Sequence, residues 1–170
     1  MDMMATCRAI YKGDLIHGII YLIIGTFLFS AAVILYIFTT KSGWFYLSVG
    51  LAFFSVYAFA KGISVYFVSK TRLAFYVAKD LFGVTELKQE SEYTRFRLEK
   101  KAVNRRRYMY TFVIGTIILI AGIFMPEKGL ILGTIIPIVL FSSIEFVIGL
   151  AAEYRLWEYT RIMEKFKNSM

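Results

Sequence analysis

Three ionisable side chains, Lys61, Glu145 and His17, sit inside otherwise apolar stretches of this 170-residue sequence. Such a group at a bilayer centre costs at least about 2.5–3.5 kcal/mol, so each needs a partner, a wet cavity or an interface within reach. A lysine and a glutamate at equal depth can form an ion pair. A histidine nearby can relay protons, because imidazole titrates near neutrality. Lys61 lies ~26 Å along a helix from Trp44, and Glu145 lies ~24 Å from Gly129 by the same rise. Equal depth makes a Lys61–Glu145 pair the sharp expectation. The plain alternative for Lys61 is snorkelling of its long stem to the headgroups. For His17 the plain alternative is a hydrogen-bonded interfacial group, with Asp14, Tyr21, Ser142 and Ser143 as possible neighbours.

The elements that hold these residues are long apolar runs. A hydrocarbon core of ~30 Å needs about 20 helical residues. Leu15–Phe38 and Trp44–Val68 qualify, Met109–Met125 is shorter but uninterrupted, and Gly129–Ala152 completes the set. The runs are continuous rather than alternating, and a spanning segment must satisfy its own backbone, so they read as helices. Apolar residues are 58% of the chain and mean hydropathy is +0.62. The fold class expected is all-α: a polytopic integral membrane protein with four transmembrane helices in two hairpins. Pro137 inside the last run frees the carbonyl of Gly133 and is expected to kink that helix. Gly129-x-x-x-Gly133 and Ala58-x-x-x-Gly62 have the spacing that permits close helix approach.

Charge is segregated. Between Ser69 and Tyr108 eleven Lys/Arg face five acids, which is +6 of the net +8. This 69–108 segment reads as helical and cytoplasmic, and Arg95, Arg97, Lys100, Lys101, Arg105, Arg106 and Arg107 form its basic patch toward a partner or the membrane. Each intervening hairpin turn carries one basic residue, Lys41 or Lys128, whereas Arg8, Lys12, Arg155, Arg161, Lys165 and Lys167 flank the other ends. Cations concentrate on the cytoplasmic side of membrane proteins, so residues 1–14 and 153–170 are expected there too. The latter is expected as an interfacial amphipathic helix with Leu156, Tyr159, Met163 and Phe166 on one stripe.

The halves resemble each other. Ile24-Gly25-Thr26 recurs as Ile114-Gly115-Thr116, and an offset of 83 aligns Gly50 with Gly133, Arg72-Leu73 with Arg155-Leu156, and Tyr76 with Tyr159. The pattern reads as an internal duplication.

The absences narrow the chemistry. One cysteine, Cys7, and one histidine exclude HExxH hydrolysis, CxxC redox chemistry and multi-histidine metal or haem sites. No nucleophile elbow or phosphate-cradling glycine loop occurs. No catalytic residue, metal or cofactor is expected. The function expected is that of a non-enzymatic membrane protein, an accessory or scaffold subunit in a bacterial inner membrane. Its partners would be anionic inner-leaflet lipids and another protein or a second copy, not nucleic acid. The alternative is a small oligomeric transporter or channel protomer with Glu145 lining the path, and the third reading is a lipid-acting membrane enzyme.

Overall fold

Because the apolar runs carry no proline except Pro137 and the charged stretches carry none, nothing in the chain stops a helix between the turns. In a computed structural model, which describes residues 3–39, 42–78 and 83–167, the chain forms four α-helices: α1 Met3–Phe38, α2 Ser42–Ala78, α3 Val84–Gly122 and α4 Lys128–Lys167. At 1.5 Å per residue, helices of 36 to 40 residues are about 54–60 Å long, roughly twice a hydrocarbon core. Three of them, α1, α2 and α4, are long and apolar enough to cross a membrane.

The helices run past the ends of the apolar stretches without a break. The 1–14 stretch is helical from Met3 onward, so it extends α1 instead of preceding it. The charged 84–107 stretch and the Met109–Met125 run are one helix, but that helix stops at Gly122, short of the expected end. There the backbone tightens: the amides of Phe124 and Met125 donate to the carbonyls of Ala121 and Gly122. Pro126 then disfavours helical backbone at Met125. α4 continues through Pro137, whose ring lies against Gly50 of α2. Within the 69–108 segment expected to be helical, residues 79–82 lie outside the described residues.

Glycines set the tight crossings. A Cβ on Gly18 would come within 2.9 Å of the Tyr66 amide nitrogen and 3.1 Å of the Gly62 carbonyl, so α1 and α2 touch backbone to backbone. A Cβ on Gly133 would collide with the Gly43 carbonyl, which brings α2 and α4 equally close. Small residues at such crossings let the helix backbones approach and gain van der Waals contact. α3 packs on α4, while no described Cα of α3 comes within 8 Å of α1 or α2. Long side chains must bridge that gap.

Two halves follow. In the apolar half, Phe27, Phe53, Ile117, Phe124 and Val147 point outward and are exposed, while Leu28, Ala32 and Leu51 pack inside. In the polar half, Met4, Cys7, Tyr11, Tyr76, Leu87, Tyr159 and Met163 form a buried core. The Leu156–Phe166 stripe faces this core, so its apolar side is covered by the other helices rather than left free.

Candidate functional site

Polar side chains line the bundle interior in three tiers. The first sits where the apolar half ends. Lys61 of α2 donates to Glu145 Oε2 of α4, and Tyr21 of α1 donates to the same oxygen at 3.1 Å. Three phenol rings surround the ammonium: Lys61 Nζ lies 4.6 Å from the Tyr21 ring centroid, 5.7 Å from Tyr57 and 6.0 Å from Tyr108. Each ring face adds about 0.5–2 kcal/mol to a cation held this way. Glu145 is only 2% exposed, and its second oxygen, Oε1, has no hydrogen-bond partner.

The second tier lies toward the polar half. Asp14 of α1 accepts from Arg97 of α3 and, at 3.1 Å, from Arg155 of α4. His17 is one helical turn away. Its Nδ1 is 2.9 Å from an Arg155 nitrogen and 3.0 Å from the Gly13 carbonyl. The two contacts are alternatives: a guanidinium only donates, so Nδ1 accepts from Arg155 when the ring proton is on Nε2, and donates to the Gly13 carbonyl when it carries the proton itself. Lys101 projects into the same region. Burial, followed by the neighbouring Arg97 charge, lowers its ammonium to about 8.

The third tier joins all four helices at one carboxylate. Glu90 of α3 is 2% exposed. Its Oε1 accepts from Tyr11 of α1 at 2.6 Å and Tyr159 of α4 at 3.3 Å. Its Oε2 accepts from Tyr76 of α2 at 2.7 Å and from Arg72 at 3.3 Å. The Tyr11 and Tyr76 rings stack at 5.5 Å, and the Arg72 guanidinium lies 3.7 Å from the centre of the Tyr93 ring. Cys7 Sγ sits 2.9 Å from the Tyr159 hydroxyl. A carboxylate accepting several donors at once is a strong local tie, because charge-assisted bonds are about twice as strong as neutral ones.

No protein family, characterised protein or solved structure matches the chain.

The sequence-derived candidates are thus divided. Lys61 and Glu145 meet, as their depths required, whereas His17 belongs to the Asp14–Arg155 tier. The basic patch splits by helix face. Arg97, Lys101 and Arg105 turn toward the bundle, with Arg97 on Asp14 and Arg105 on Glu153 at 3.2 Å. Arg95 is exposed and pairs with Glu99 one turn on. Lys100, Arg106 and Arg107 are exposed, and among the described residues no carboxylate pairs with them. Glu90, Tyr11, Tyr76 and Tyr159 were not singled out by chemistry. The signal for two of them was present: Arg72-x-x-x-Tyr76 and Arg155-x-x-x-Tyr159 align between the halves, and all four side chains face the interior polar tiers.

Proposed function

We propose that this chain is a non-enzymatic integral membrane protein, an accessory or scaffold subunit whose bundle crosses the bilayer four times and extends into the cytoplasm as a braced stalk. The observation that carries this reading is that the interior polar groups bind one another across helices. Glu145, Asp14 and Glu90 each hold partners from two or more other helices. Such cross-bracing supports rigidity and leaves these groups engaged, unlike side chains arrayed around an open path. The outer cations Lys100, Arg106 and Arg107 are then the contact points for an acidic partner or for anionic headgroups, each worth about 1 kcal/mol near a charged surface.

The fourth crossing is the C-terminal part of α3. Its apolar helix from Tyr108 to Gly122 is about 22 Å long, and exposed Ile123, Phe124 and Met125 add apolar depth. The cation distribution supports cytoplasmic termini, and a bacterial inner membrane is the proposed setting. The duplication reading gains support from Gly25 and Gly115, each of which lies against the second helix of its own hairpin, at Phe59 and Val139.

A second reading, a transporter or channel protomer, is favoured by one feature: Glu145 Oε1 is buried without a donor, and orphaned buried acceptors are rare. Purified protein in vesicles loaded with a pH-sensitive dye separates the two. The scaffold reading expects no proton flux above empty vesicles. It further expects a K100Q/R106Q/R107Q variant to keep its stability and lose whatever the wild type retains through mild-detergent purification. Flux that E145Q abolishes would establish the second reading in its place.

A further inference from the structure

Beside the end of the apolar belt, α3 and α4 part to leave an open groove of about 390 Å³. Its apolar lining is Leu150 of α4 beside the belt and Ala102 and Leu98 of α3 farther out. Its polar lining is ordered along the helix axes. Leu150 lies at the end of the apolar stretch. Arg105 and Glu153 face each other next, at 3.2 Å. Glu99 and Trp157 lie farther out, about 9 Å beyond Arg105 on α3 and about 10 Å beyond Leu150 on α4, with Tyr154 between.

We infer that this groove holds one phospholipid whose headgroup ends in a primary ammonium, with the phosphate on Arg105 and the ammonium against Glu153 and Glu99. The inference rests on the membrane reading above and names the lipid at that boundary. The order of groups carries it: acyl chain, phosphate, then amine in the lipid; Leu150, then Arg105 with Glu153, then Glu99 and Trp157 in the groove. The charges agree: the lining sets one cation, Arg105, against two carboxylates, Glu99 and Glu153, so it disfavours an anionic lipid and leaves a carboxylate for a cationic headgroup end. Two local features select a primary amine over a quaternary one. Glu153 Oε2 pairs with Arg105 at 3.2 Å but makes no hydrogen bond, so the carboxylate keeps acceptor capacity for an N–H donor. A primary ammonium has N–H groups to give, and a quaternary one has none. Trp157 and Tyr154 supply the amphipathic rings found at headgroup depth. Arg95, the present partner of Glu99, is exposed at 80% and held weakly enough to be displaced.

The test is native mass spectrometry of the whole chain from mixed micelles holding equal amounts of phosphatidylethanolamine, phosphatidylcholine and phosphatidylglycerol with identical acyl chains. One ethanolamine lipid per chain is expected, retained about fivefold or more over the choline form. E99Q/E153Q brings the two to parity, and R105A lowers retention of all three. E99Q alone alters an exposed side chain, so it keeps the headgroup comparison readable if R105A unfolds. Equal retention of ethanolamine and choline lipids by the wild type, or a preference for phosphatidylglycerol, overturns the assignment. Partner capture through Lys100, Arg106 and Arg107 is read separately, so the lipid site can fail while the scaffold reading stands.

Discussion

Replacing Glu90 with alanine removes the one carboxylate that, among the described residues, takes side-chain hydrogen bonds from all three other helices. Two short phenol bonds, from Tyr11 at 2.6 Å and Tyr76 at 2.7 Å, lose their acceptor, as do the longer contacts from Tyr159 and Arg72 at 3.3 Å. Hydrogen bonds to a charged group contribute about 1.5–3 kcal/mol each, and buried donors left without a partner cost a similar amount. The four contacts share one carboxylate and do not add independently. The two short bonds alone set an expected loss of about 3–5 kcal/mol, a large part of the ~5–15 kcal/mol typical of a folded domain. Denaturant unfolding in mild detergent, followed by tryptophan fluorescence, measures it, Trp157 being in the polar half. E99A is the control: its pair with Arg95 is exposed, and its loss should cost no more than about 0.5 kcal/mol. A Glu90→Ala protein within about 1 kcal/mol of wild type would show that the tyrosines find water or one another, and that Glu90 is no tie.

Two further outcomes are expected. K61M and E145L should each destabilise more than the double variant, with a coupling of about 1 kcal/mol or more; additive losses in detergent melts would rule out direct interaction. Lys101 is held near 8 when folded against 10.5 for a free lysine, so the unfolded chain binds more protons between those values. The cost of its buried charge is therefore fully present below about pH 8 and fades as pH rises toward 10.5. K101M should stabilise by about 1–2 kcal/mol at pH 7, at ~1.4 kcal/mol per unit discounted for partial exposure, and should flatten the rise in stability over that window. A variant less stable than wild type at pH 7 would contradict the sign.

The apolar runs made the helices legible, because they are long and continuous rather than alternating, which suits a helix that satisfies its own backbone. Depth arithmetic placed Lys61 beside Glu145 for the same reason: rise per residue is fixed. The polar half was harder to read. Its inward-facing stripe on α3 is Leu87, Glu90, Thr94, Arg97 and Lys101, spaced three or four apart, and apolar periodicity registers only the leucine. The stripe is polar because α3 stands off from α1 and α2, and only long or charged side chains span the gap. Sequence counting also merged two populations in the basic stretch. Arg97 and Arg105 share residue type with Arg106 and Arg107, yet helix phase sends the first two inward. His17 and Glu145 lie on different helices, and depth alone could not show that Arg155 would claim the histidine.

Membrane topology tests the central claim most directly. In a Cys7→Ser background, single cysteines at Lys88 and Lys128 can be probed on intact cells with a membrane-impermeant maleimide. Labelling at position 128 from outside, and at position 88 only after permeabilisation, is the predicted result. Labelling at position 88 on intact cells would put the braced half of the bundle on the wrong side of the membrane and contradict the account.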